Sequence, residues 1–107
     1  MYIIVIYMSI DDLVTNSIGF SWDRGNVKKN WEKHRVNNLE AEEVFFNSPL
    51  LISDDNKHSQ NEKRFYCLGQ TNEKRRLFVS FTIRNYKIRV ISARDQSKKE
   101  RSAYEKA

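Results

Sequence analysis

At 107 residues the chain is one domain, because independent cores rarely share a chain shorter than about 150 residues; a two-domain enzyme is excluded and a deep catalytic cavity is disfavoured. A hydrophobic fraction of 39%, 12% aromatics, three glycines and one proline describe packed elements, not a disordered tail. Lys and Arg total 19 against 14 Asp and Glu, and residues 84–107 hold eight of the cations against three carboxylates, so polyanions, nucleic acid first and an acidic protein second, are the expected partners, and neutral metabolites are disfavoured.

Met1 to Met8 is an apolar run of eight residues with no basic residue before it, the first being Arg24. It is too short to span a bilayer, which needs ~20 residues, and reads as a strand or a start-site extension instead of a signal peptide. After Gly19, Phe20–Trp22 is a short strand leading into a helix over Arg24–Arg35. Val27, Trp31 and His34 stand at i, i+4 and i+7 as its inward stripe, with Lys28, Lys29, Glu32 and Lys33 on the other faces. A second helix starts at Asn37 or Asn38, with Glu40 in the capping-box position. Ala41, Val44 and Phe45 are its apolar stripe, and Asn47-Ser48-Pro49 ends it.

Leu50–Ser53 is a short strand, residues 54–63 (DDNKHSQNEK) a polar loop, Arg64–Gly69 a strand and Gln70–Arg76 a charged turn. Leu77–Ile83 alternates and continues through a tight turn at Arg84 and Asn85 into Tyr86–Ser92. A two-residue turn there pairs Ile83 with Tyr86, Phe81 with Ile88 and Val79 with Val90, making one face apolar core. The reverse face sets Thr82 against Lys87 and Ser80 against Arg89, polar and positive. Ser97 and Glu100 form another capping box at the start of a terminal helix, Lys98–Lys106, whose only apolar contacts are Ala103 and Tyr104; such a helix is weakly held.

The single cysteine, Cys67, forms no internal disulfide and, with only His34 and His58, supplies no zinc site, which fits a reducing cytosol. There is no metal motif, Gly-rich phosphate loop or Ser/His/Asp arrangement, so neither metal nor cofactor is expected. RNA cleavage needs none: the 2′-hydroxyl attacks the adjacent phosphate once a base takes its proton, cations stabilise the phosphorane and an acid protonates the 5′-oxygen. His34, His58, Glu62, Tyr66, Tyr86 and Tyr104 are the possible proton-transfer groups on the positive surface; Lys33, His34, His58 and Glu62 are the candidates carried forward, in no firm order, with Arg64, Arg89 and Arg94 as the phosphate-stabilising ones. Lys28, Lys29, Arg75, Arg76, Arg84 and Lys87 are candidates for holding the nucleic acid. Each has a plainer alternative: His34 as a packing or C-capping residue, His58 as a solvated loop residue, Glu62 and Arg64 as a surface ion pair, Arg75 and Arg76 as a solvated charge run.

The string Phe20-x-Trp22-Asp23, Gly25-Asn26, Lys29-Asn30-Trp31, Lys33-His34-x-Val36, Glu40-Ala41-Glu42-Glu43-Val44-Phe45 and Asn47-x-Pro49-Leu50 resembles the BrnT family of toxins from type II toxin–antitoxin systems. The likeness continues through His58-Ser59, Glu62-x-Arg64, Leu68-Gly69-x-Thr71, Arg76-x-Phe78, Phe81-Thr82-x-Arg84, Ile88-Arg89-x-Ile91-Ser92-Ala93-Arg94 and Lys99-Glu100-Arg101-x-x-Tyr104. It sets residues 20–107 as one toxin domain and leaves 1–19 as an extension. The resemblance implies an α+β, RelE-like fold, a small antiparallel sheet flanked by helices, in agreement with the elements above. It implies a cytoplasmic ribonuclease that cuts RNA and slows translation until a ribbon-helix-helix, BrnA-like antitoxin neutralises it. Toxin and antitoxin dimers would form a heterotetramer that reaches operator DNA through the antitoxin, with no membrane involved. Two positions depart from the family pattern: Gln96 stands where an apolar residue is common, and Arg35 replaces a common glycine, which argues against a left-handed helix end. A non-catalytic nucleic-acid binder and an interaction-only subunit holding an acidic segment are the competing readings.

Overall fold

The computed structural model describes residues 4–5, 19–59 and 61–107; the rest of the expected 1–19 extension lies outside the described residues. Strands β1 (Ile4–Val5), β2 (Phe20–Ser21), β3 (Leu51–Asp54), β4 (Arg64–Gln70), β5 (Arg76–Arg84) and β6 (Lys87–Asp95) form one sheet in the order β1-β3-β4-β5-β6-β2. All neighbours are antiparallel except β2, which lies parallel to β6 with Phe20 beside Ile88 and Ser21 beside Arg89. Among the described residues, helices α1 (Arg24–His34), α2 (Asn38–Glu43) and α3 (Lys98–Glu105) join the sheet in an α+β fold, with 3-10 turns at Val44–Phe46 and Asn56–His58.

The two-residue period of the strands sorts the side chains onto two faces. Ile52, Cys67, Val79 and Ala93 make one register row, and Phe65, Phe81 and Val90 the next. These rows form the main core with Val36, Ala41, Val44 and Phe45. Gly69 lets α2's turn close on β4: a Cβ there would lie 2.9 Å from the Val44 Cβ. The opposite face carries the rows Arg64–Thr82–Arg89, Tyr66–Ser80–Ser92 and Leu68–Phe78–Arg94. Helix α3 covers only the last of these, where Tyr104 packs with Leu51, Leu68 and Phe78.

Several expectations are corrected. The hairpin turn is Asn85–Tyr86, both at positive φ (52° and 62°), not Arg84–Asn85. A two-residue turn that matches the strand twist needs both residues left-handed, and Asn tolerates this best at the first position. The register therefore slides by two, to Ile83 with Ile88 and Phe81 with Val90, and Arg84 pairs with Lys87. Because the slide is even, each residue keeps its expected face. A bulge between Ser80 and Phe81 then leaves Ile91 as the extra residue and brings Val79 to Ala93.

Helix α1 is turned by one residue, about 100°, from the expected stripe: Asn30 is buried and Trp31 is 46% exposed. The Asn30 carboxamide Oδ1 accepts a hydrogen bond from the Ala93 backbone N–H at 3.3 Å, a polar task that an indole's apolar bulk cannot perform. Arg35 takes the left-handed conformation (φ 54°, ψ 38°) despite its side chain. Arg75 compensates by donating to the carbonyls of Arg35 (2.8 Å) and His34 (3.1 Å), which the helix leaves without partners. Gln96 is buried because its Nε2 donates to the carbonyls of Gly69 and Leu77. Helix α3 is held by more than apolar contact: Tyr104 Oη donates to the Pro49 carbonyl at 2.6 Å, Arg94 grips Glu100 and Arg76 meets Glu105 at 2.6 Å.

Candidate active site

The β3–β4 connection is folded back on itself by one hydroxyl. Ser59 Oγ donates to the Asp55 carbonyl at 2.6 Å and accepts from the Arg64 N–H at 3.0 Å, while the Asp55 N–H donates to the Arg64 carbonyl at 2.9 Å. The clasp forces the 3-10 turn and sets His58 three residues beyond Asp55. The His58 Nδ1 lies 2.9 and 3.0 Å from the two oxygens of the Asp55 carboxylate. That contact makes Nδ1 the donor nitrogen and leaves Nε2 as the proton acceptor. The imidazole is 61% exposed and its carboxylate partner 19%, so the orienting group is sheltered and the reactive one is open.

Beside this pair lies a pocket of about 330 Å³ lined by Lys57, His58, Asn61, Glu62, Arg64 and Thr82. Arg64 and Thr82 line it from neighbouring strands, and Arg89 follows Thr82 in the same register row, just outside the lining; three strands at about 4.8 Å spacing set the two arginines about 10 Å apart with Thr82 between them. Thr82 Oγ1 is tied to the Lys63 carbonyl at 2.7 Å. The Arg64 guanidinium has no hydrogen-bond or ion-pair partner among the described residues. Arg89 is steered by Ser21 Oγ at 3.2 Å and by the Asp23 carboxylate at 3.5 Å. Glu62 receives two hydrogen bonds from Arg84, at 3.0 and 2.8 Å. Those bonds, with the charges of Arg84, Arg89 and Arg64 outweighing slight burial, hold its carboxyl below the usual range. An ionised Glu62 is no proton donor at neutral pH, whereas His58 is oriented to accept one.

His58, Glu62, Arg64, Arg84 and Arg89 are therefore brought together, with Lys87 opposite Arg84 at the hairpin end. Other sequence candidates lie elsewhere. Arg94 shares the face but donates to Glu100 at 2.8 and 3.0 Å and lies 4.1 Å over the Phe78 ring. Lys33 and His34 end α1 near Asp95, whose carboxyl is held low by hydrogen bonds from Arg75 and by nearby charges including His34. Asp95 is six residues beyond Arg89, about 20 Å along β6. Arg75 is occupied by Asp95 (2.7 Å), Glu40 (3.1 Å) and the end of α1, and Arg76 by Glu105. Lys28 and Lys29 lie on α1, the former 3.9 Å from Glu32. Sequence reasoning missed Asp55, Lys57, Asn61 and Thr82; the only available signal was Asp55 three residues before His58 in a polar loop. Among the described residues no three metal-ligating side chains cluster, and no helix is long and apolar enough to cross a membrane.

The family described as "Ribonuclease toxin, BrnT, of type II toxin-antitoxin system" matches residues 22–100. Among solved structures, the Brucella abortus ribonuclease toxin BrnT is similar in fold, with a TM-score of 0.55 and 20% identity over 77% of this chain and 100% of that one. A search of curated proteins gives no match. With the greater part of the domain inside that family match, and the fold shared with a solved member, this chain belongs to the BrnT family of ribonuclease toxins of type II toxin–antitoxin systems.

Proposed function

We propose that the protein is a metal-independent endoribonuclease whose reacting groups lie in the His58 pocket. The observation that carries this reading is the Asp55-oriented imidazole beside the Arg64–Thr82–Arg89 row. His58 Nε2 takes the proton of a ribose 2′-hydroxyl, the oxygen attacks the adjacent phosphorus, and Arg64 and Arg89 meet the charge that builds on the phosphorane. The imidazolium so formed returns the proton to the departing 5′-oxygen, leaving a 2′,3′-cyclic phosphate and a 5′-hydroxyl. Family membership supports the cellular setting: cleavage inhibits translation in the cytoplasm and arrests growth. A ribbon-helix-helix antitoxin neutralises the toxin in a heterotetramer that contacts operator DNA through the antitoxin.

The test is purified protein incubated with RNA in EDTA. Cyclic-phosphate ends are expected, with a loss of about 10²–10⁴-fold in rate for His58→Ala and a smaller loss for Asp55→Asn. RNA left intact at stoichiometric, folded protein overturns the reading and leaves a binding module.

A further inference from the structure

We propose that helix α1 is a track for single-stranded RNA leading away from the pocket, with Trp31 as a stacking platform for one base; the proposal rests on the ribonuclease reading above and extends it to substrate beyond the cleaved bond. Arg24, Lys28, Trp31 and Arg35 stand at i, i+4, i+7 and i+11, one line along a helix, and all four are exposed. The core gives no reason for an indole here, because Asn30 fills the buried position and Trp31 is left 46% exposed in a line of cations. Its ring is partnered by the Arg35 guanidinium, 5.3 Å from the ring centroid, on a residue held left-handed at φ 54°. The helix carries a single carboxylate, Glu32, against Arg24, Lys28, Lys29 and Lys33.

The line begins beside Arg89, the register neighbour of the pocket residue Thr82. Asp23, which caps α1 through the Asn26 N–H, also meets Arg89 at 3.5 Å. From there the eleven-residue helix runs about 16 Å beside β6, to which Asn30 fastens it. Cations at turn spacing interrupted by an exposed aromatic ring are the elements with which proteins hold single strands without sequence preference. An acidic peptide would match the charge, but it has no flat face to offer the ring and would find charged neighbours where its apolar residues need a groove.

The test uses 2′-O-methyl oligouridylates, which lack the attacking hydroxyl, so binding is read whether or not the protein cleaves RNA. An oligomer of about 12 nucleotides is expected to quench tryptophan fluorescence, and one of about 3 is not. Trp31→Ala is expected to weaken binding of the longer oligomer about five-fold or more, with Trp31→Phe restoring most of it and the short oligomer unaffected. Lys28→Gln is expected to lower the slope of log affinity against log salt by about 0.7. Absence of quenching by the longer oligomer at saturation overturns the proposal. So does unchanged affinity in a Trp31→Ala protein with unchanged melting temperature. If Trp31→Ala instead releases a co-expressed antitoxin while RNA affinity holds, the stripe is a protein-docking surface and the track is wrong. Failure of the ribonuclease reading shows separately, as uncut RNA in the EDTA assay.

Discussion

Arg94 and Arg89 stand on the same face of β6, and their carboxylate partners give them different tasks. Arg94 is held by two hydrogen bonds to Glu100 and stacked on Phe78, so its charge is used inside the molecule. Burial pushes the Glu100 carboxyl up, but hydrogen bonds from Arg94 and Ser97 outweigh it and leave the group below its ordinary value of 4.5. A carboxyl depressed in the folded state contributes stability above its unfolded value and loses it as pH falls through the folded value. Glu100→Gln is therefore expected to destabilise the protein by about 1–3 kcal/mol near neutrality, with the gap from the parent closing well below pH 4.5. Urea unfolding at both ends of that range checks it; an equal gap at both would contradict the assignment. None of this was legible in the sequence, where Glu100 shows only its local role as partner of Ser97. His58, Glu62 and Arg64 were legible as chemistry-bearing residues near a strand start. Asp55 was not, because its value comes from a turn that the Ser59 clasp imposes.

At the scale of elements, features decided within four residues were readable: both capping boxes, at Asn37 and Ser97, form as expected, and strand alternation gave the right faces. Features decided across the sheet were not. The rotation of α1 follows from the Ala93 N–H that Asn30 serves, and the parallel pairing of β2 with β6 leaves no mark in a two-residue segment. The β5–β6 register depended on which two residues turn. Tyr86 occupies a left-handed position that glycine fills without steric cost and is 70% exposed. Tyr86→Gly is thus expected to stabilise the fold by about 1 kcal/mol, a rise of about 4 °C in a thermal melt. A lower melting temperature would show that the ring contributes packing the exposed position does not suggest.

For the whole molecule, the concentration of cations in residues 84–107 pointed to the sheet face that carries Arg84, Arg89 and Arg94 and overstated how much of that charge is free. Arg84, Arg89 and Arg94 each meet a carboxylate, from Glu62, Asp23 and Glu100, so on this face the guanidinium without a partner among the described residues is that of Arg64, at the end nearest His58. Arg75 ties the far end together, joining α1, α2 and β6 through His34, Arg35, Glu40 and Asp95. Helix α3 stands over the Leu68–Phe78–Arg94 row as a wall about 10 Å high beside a floor three strands, about 10 Å, across. If the proposed site holds RNA there, a paired stem would be too broad to settle on that ledge, whereas an unpaired stretch would fit it. Folded transcripts are accordingly expected to be nicked in their loops and spared in their stems, and annealing a complementary oligonucleotide over a cut position should shield it. Equal nicking of the annealed and the free transcript would mean that the wall swings aside.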